Sequence, residues 1–180
     1  MKILHEYDPR WVQEFERLKT VYCKALGKLV RRAEHVGSTA IPGMAAKPIL
    51  DIDLVISSES KFPDVRSILE LLGYRHVGDQ GILGREVFKR EGEKVPYVEP
   101  FGDGWMKHHL YVCVDGTREL QRHLAFRDYL NADPVAREEY ESIKKDIESR
   151  SAGDRKRYAE MKEKEGVCSA FVERVLSQAG

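Results

Sequence analysis

The stretch that most constrains this chain covers residues 34–56, EHVGSTAIPGMAAKPILDIDLVI. It reads as a strand, a tight Gly37-Ser38 turn, a loop rich in Pro, Gly and Ala, and a second strand carrying two aspartates. Side chains alternate along a strand, so Asp51 and Asp53 share one face while Ile52, Leu54 and Ile56 turn into a core. Two carboxylates on one face repel each other and are costly to keep ionised without a cation. A hard divalent ion bound through oxygen, such as Mg2+, is the natural neutraliser, which makes Asp51 and Asp53 candidate metal ligands. Upstream, Gly37 lets backbone N–H groups approach a phosphate closely, and Ser38 adds a hydroxyl donor. The plainer reading of that pair is an ordinary turn with Ser38 as a helix cap.

The pattern Val36-Gly37-Ser38, about a dozen residues, then Leu50-Asp51-Ile52-Asp53-Leu54 resembles the active-site signature of the nucleotidyltransferase (polymerase-β-like) superfamily. The wider wording resembles the GrpB family of small bacterial proteins: HVGSTAIPGMAAKP at 35–48, Gly84-Arg85, His108-His109-Leu110, and RHLAFRDYL at 122–130. That resemblance covers nearly the whole chain. It implies an α/β fold with a nucleotidyltransferase-like mixed sheet, helices on one side of it, and a helical C-terminal part. Nucleotidyltransferases usually carry a third carboxylate on a neighbouring strand. The equivalent strand here is His108-His109-Leu110-Tyr111-Val112, where alternation turns His109 or Tyr111 to the site, and neither is acidic. Glu86 and Glu99, on nearby predicted strands, are the acids placed to substitute. His109 enters the candidate catalytic set because a histidine can bind metal or carry a proton.

At 180 residues the chain is most simply one domain, long enough to bury roughly 70% of its unfolded surface. The formal net charge is zero, which argues against holding nucleic acid by bulk electrostatics. Cys23, Cys113 and Cys168 lack metal-ligand spacing and read as reduced thiols of a cytoplasmic protein. The N-terminal MKILHEYDPRW has no apolar core for a signal peptide, and no stretch is long and apolar enough to span a bilayer.

Asp8-Pro9 predicts a helix start, with Asp8 as N-cap. Val12, Phe15, Leu18, Tyr22, Leu26 and Leu29 then recur at helical spacing to about Val30, and a strand enters at Ala33. A second helix carries Val65, Ile68, Leu69 and Leu72 and closes at Gly73. Short strands follow at 74–77, 83–90, 95–100 and 107–114, with 83–90 and 95–100 expected to pair around Glu91-Gly92-Glu93-Lys94. From Thr117 the chain turns helical and highly charged. This divides it into an α/β core over 1–116 and a helical subdomain over 117–180 packed on that core. Thr117, Asp133 and Asp154 are the expected caps, with breaks at Ser151-Ala152-Gly153 and at Gly166.

Arg85, Lys89, Arg122, His123 and Arg127 form a candidate grip for an anion, because guanidinium groups fit phosphate oxygens in pairs. The plainer reading of each is a salt bridge to Glu119, Asp128 or another acid. Lys47, just before the aspartate strand, counters either a phosphate or the aspartates. Tyr158 and Lys162, matching the family's Tyr-x-x-x-Lys, either approach the cleft or anchor the last helix. Trp11 and Trp105 read as packing residues, since no basic run surrounds either.

Taken together, the expectation is Mg2+-dependent transfer of a nucleotidyl group from a nucleoside triphosphate. Gly37, Ser38, Lys47, Arg85, Lys89, His123 and Arg127 would contact the nucleotide or another phosphorylated small molecule. Two alternatives remain: a module that binds a phosphorylated ligand without transferring anything, and a charged helical scaffold for protein partners. Relatives of the family also occur joined to dephospho-CoA kinase, which implies a link to coenzyme A metabolism for the binding module.

Overall fold

A computed structural model describes residues 2–99, 104–164 and 167–178. Helix α1, Arg10–Leu26, buries Trp11, Phe15, Leu18, Tyr22 and Leu26, one apolar residue every three or four positions. Trp11 leads this face, and Val12 stays 41% exposed. Asp8 caps from one residue further out than expected: Pro9 takes the N-cap position, and Asp8 Oδ1 accepts the Arg10 N–H at 2.9 Å. The helix also ends earlier than the apolar spacing predicts. Gly27 adopts φ +50°, a short 3-10 turn follows, and strand β1 begins at Val30 rather than Ala33. Val30 is β-branched and pairs with Ile56, which draws it into the sheet.

Five strands form one mixed sheet in the order β1-β2-β5-β4-β3: β1 Val30–Val36, β2 Leu50–Ile56, β3 Tyr74–His76, β4 Arg85–Arg90 and β5 His108–Val114. The pair β2–β5 is parallel and the other pairs are antiparallel. On one face, α1 and α2 (Phe62–Leu71) cover Leu50, Ile52, Leu54, Ile56, Phe88, Leu110 and Val112. Burial of each such leucine or isoleucine stabilises by about 1.5–3 kcal/mol. Gly73, at φ +95°, closes α2 as the sequence leads one to expect. The segment 95–100 does not form the expected strand. Pro96 has no N–H to give a ladder, Tyr97 N–H bonds Leu72 O instead, and β4 pairs with β3 and β5; Pro100 lies outside the described residues.

The opposite face receives α3, Arg118–Ala132, which packs Leu120 on Val55 and Cys113. Thr117 precedes it but spends its hydroxyl on Val114 O rather than on the helix. Helices α4 (Pro134–Ser151), α5 (Arg155–Lys164) and α6 (Val167–Gln178) follow. Asp133 and Asp154 cap α4 and α5 by accepting two backbone N–H groups each. The expected break at Gly166 falls outside the described residues. Phe126, Tyr140, Tyr158, Phe171 and Val175 share a second core with Ile3, Leu4, Ile41 and Met44. The helices are thus seated on the loop that follows Gly37-Ser38. Trp105 packs at the edge of the first core, beneath the Arg17 guanidinium. Cys23 and Cys113 are thiols without a disulfide. Among the described residues no helix is long and apolar enough to cross a membrane.

Candidate active site

Strand register builds the site. Asp51 lies opposite Val36 on β1 and His109 on β5, and Asp53 lies opposite Glu34 and Tyr111. Both aspartates therefore face α3 from the middle of the sheet. On β4, Arg85 pairs with Cys113 and Val87 with Tyr111, so Arg85 and Lys89 share this face. Glu86 falls on the opposite face, 2.6 Å from His76 Nε2, and Glu99 is exposed and outside the sheet. Neither fills the place of the missing carboxylate. The acid that the register does set beside Asp53 is Glu34, whose oxygens are taken by Arg32 at 2.9 Å and Arg127 at 2.8 Å. Alternation back from Val36 could have found it. Among the described residues no three His, Cys, Asp or Glu side chains are grouped to hold a metal ion.

Each aspartate gives one oxygen to a histidine. Asp51 Oδ1 accepts from His109 Nδ1 at 2.9 Å, and Asp53 Oδ2 accepts from His123 Nδ1 at 2.7 Å. Asp51 Oδ2 lies against Gly37, where a Cβ would run into it. Gly37 has φ +71° and ψ −173°, a conformation that is essentially reserved for glycine. Asp53 is wholly buried, and its Oδ1 has no partner among the described residues.

His123 stands between two carboxylates, with Nε2 3.2 Å from Glu119 Oε1. A carboxylate only accepts, so both ring nitrogens must carry protons and the ring is an imidazolium. Burial opposes that charge, but bonds to Asp53 and Glu119 prevail and lift its pKa to about 9. Burial pushes the Asp53 carboxyl up, and His123 opposes the rise. His123 draws Glu119 down against the cost of its burial. Glu119 also receives Arg85 Nη1 at 3.5 Å and Arg122 Nη1 at 3.7 Å. It is the hub of this cluster, which the sequence reveals only as one possible salt-bridge partner.

The turn itself is clamped from behind. His35 stacks on Phe15 and bonds Thr39 at 3.0 Å, and burial lowers its pKa to about 4. Ser38 opens the 3-10 turn Ser38–Ala40, and its hydroxyl has no protein partner among the described residues. Lys47 and Arg127, both expected to contact the nucleotide, are engaged by protein groups. Lys47 sits 4.7 Å above the Tyr158 ring, so Tyr158 serves the helical core. Arg127 is engaged by Glu34, Asp128 and the His35 carbonyl, and fastens α3 to β1.

Beside His109 an open cleft of about 550 Å³ runs over β4 and β5. Arg85, Lys89, His109 and Tyr111 line it, joined by Gln80, Arg90, Glu93 and Lys107, which sequence reading did not single out. Of those last four only Arg90 lies on a strand; Gln80, Glu93 and Lys107 come from the segments that flank β4 and β5.

The fold is that of the nucleotidyltransferases. Cid1 poly(U) polymerase in its MgGTP-bound structure aligns with a TM-score of 0.53 at 13% identity, over 81% of this chain and 44% of that one. The chain itself belongs to the GrpB family, described as GrpB protein, which it matches over residues 2–176. The crystal structure of GrpB from Enterococcus faecalis aligns with a TM-score of 0.77 at 29% identity, over 98% of this chain and 96% of that one. The glutamate-rich protein GrpB of Alkalihalophilus pseudofirmus is 31% identical over 98% of this chain and 94% of its own length. UPF0157 protein YqkA of Bacillus subtilis is 34% identical over 78% of this chain, which spans only 38% of that relative. A dephospho-CoA kinase of Mycolicibacterium paratuberculosis is 29% identical over 87% of this chain and 42% of its own length.

Proposed function

We propose that the protein is a Mg2+-dependent nucleotidyltransferase, moving a nucleotidyl group from a nucleoside triphosphate to an acceptor hydroxyl. One observation carries this reading: Asp51, beside Gly37, and Asp53 face the same way, each with one oxygen on a histidine and one without a protein partner among the described residues. Those remaining oxygens suit Mg2+, which is held by one or two carboxylates while phosphates and water complete its shell. When bound, Mg2+ supplies neutralisation of the phosphate charge. Nucleotidyltransferase-fold neighbours bind MgGTP and MgATP, which supports the assignment.

The chain's own residues take the other parts. Gly37 and Ser38 offer backbone N–H groups and a hydroxyl to the triphosphate. Asp51 accepts the Nδ1 proton of His109 and so fixes the tautomer that leaves Nε2 as the base. The acceptor oxygen bonds to the α-phosphorus, the bond from that phosphorus to the bridging oxygen breaks, and pyrophosphate leaves. His109 Nε2 takes the hydroxyl proton. The transfer is tested by pyrophosphate release with ATP and Mg2+ across an acceptor panel. Release that disappears in Asp51→Asn and in His109→Ala supports it, and no release with any acceptor refutes it.

The complete burial of Asp53 behind His123 favours a second reading, a module that holds a phosphorylated ligand without transferring it. A Mg2+-dependent thermal shift with ATP but without pyrophosphate release would select that reading. The alignment with a dephospho-CoA kinase adds coenzyme A precursors to the ligands worth screening.

A further inference from the structure

The cleft and the Gly37-Ser38 turn lie on opposite flanks of Asp51. In sheet order the turn follows β1, Asp51 stands on β2, and the cleft begins at His109 on β5 and extends over β4. A triphosphate over the turn therefore leaves the cleft for the other reactant. We propose that this cleft is the acceptor subsite, and that the acceptor is a small phosphomonoester whose hydroxyl lies at His109. The proposal rests on the transfer reading above.

Charge is the first argument. Arg85, Lys89 and Lys107 line the cleft with a single carboxylate, Glu93, in a chain whose net charge is zero. Among the described residues no carboxylate pairs with Lys89 or Lys107, and both are exposed. Arg85 reaches Glu119 only at 3.5 Å, lies over the Tyr111 ring and has a buried Nε with no partner among the described residues. A phosphomonoester, with a charge near −2 and three acceptor oxygens, matches this surplus of donors.

Size is the second. About 550 Å³ falls in the range of small-molecule sites. Position is the third: His109, 2.9 Å from Asp51 Oδ1, stands at the rim of the cleft nearest the aspartates, so a ligand in the cleft lies alongside them.

Isothermal titration with glycerol 3-phosphate, in EDTA and without nucleotide, tests the site, with glycerol as the uncharged control. Glycerol 3-phosphate is expected to bind and glycerol not to. In Lys89→Ala/Lys107→Ala, with both changes at exposed side chains, binding should weaken by about tenfold or more. Circular dichroism should show the same fold, and Mg-ATP should bind the double variant as it binds the parent. Equal binding of glycerol 3-phosphate to parent and variant, or to neither, overturns the proposal. So does a parallel loss of Mg-ATP binding in the variant, which would give the cleft to the triphosphate. Tighter binding of a 5′-phosphorylated trinucleotide than of glycerol 3-phosphate also overturns it, in favour of a polymer. Because the titration contains no metal or nucleotide, failure of Mg-ATP to bind the parent would count against the transfer reading separately.

Discussion

Replacing Gly37 with alanine separates the role of the turn from that of the aspartates it touches. Two costs are expected. The first is backbone strain: φ +71° with ψ −173° disfavours any Cβ, at about 1–3 kcal/mol. The second is collision, because the new methyl would occupy the place of Asp51 Oδ2. The carboxylate must swing away and give up its 2.9 Å bond to His109, a further loss of about 0.5–1.5 kcal/mol. Together the loss in unfolding free energy should be about 2–4 kcal/mol. Gly43 is the matched control, since it has φ +81° and open space where its Cβ would go. Gly43→Ala should cost only the strain of a left-handed residue, about 1–2 kcal/mol. Urea unfolding measures both losses, and a thermal shift with ATP and Mg2+ reads the site. Gly37→Ala should lose the ligand shift and Gly43→Ala should keep it. If the two variants match in stability and in ligand shift, the claim that Gly37 exists to seat Asp51 is wrong.

His123→Gln leaves Asp53 buried without its cation and should destabilise by about 3–5 kcal/mol in urea. Adding Asp53→Asn should restore at least half of that, and a double variant as unstable as the single one would contradict the pairing. His35 and His108 are both buried neutral with pKa values lowered to about 4. The unfolded chain takes up protons below pH 6.5 that the native state refuses, so stability is full above that pH and falls toward pH 4. At about 1.4 kcal/mol per pH unit, each histidine accounts for about 3 kcal/mol over that window. Urea midpoints between pH 7 and 4 should fall less steeply in His35→Gln, and an unchanged slope would count against its burial as the cause. Arg90→Lys keeps the charge but loses the fork that reaches Met106, Glu93 and Trp105, and should cost about 1–3 kcal/mol, read as a lower thermal midpoint. No loss there would mean that the carbonyls find other donors.

Strand alternation alone sets Asp51 and Asp53 on one face and Ile52, Leu54 and Ile56 on the other, because the period of two is a local property of the chain. The caps at Asp133 and Asp154 are legible for the same reason: donor and acceptor lie within three residues of each other. What resists sequence reading is set by partners distant in the chain. Glu86 carries the right chemistry, yet its pairing with Val112 turns it to the wrong face. Arg127 has the guanidinium a phosphate wants, but Glu34, 93 residues away, already holds it. The segment 95–100 looks like a strand from composition, but β3 and β5 already occupy both edges of β4, and the Tyr97 N–H goes to Leu72 O.

The pairing of each aspartate with its own histidine bears on how the two carboxylates coexist. On one strand face, two residues apart, they would raise each other's proton affinity. His123, an imidazolium shared with Glu119, gives Asp53 a positive partner inside the protein. His109, 56% exposed, gives Asp51 a hydrogen bond at the rim of the cleft instead. The two carboxylates are therefore not equivalent. Asp53 is held by the helix that covers the sheet, and whatever reaches its unpartnered oxygen must do so with α3 in place or displaced. Asp51 faces both ways, with one oxygen toward the glycine turn and one toward the cleft through His109. In that arrangement Asp51 links the two flanks of the site, and Asp53 ties the site to the helical half of the chain.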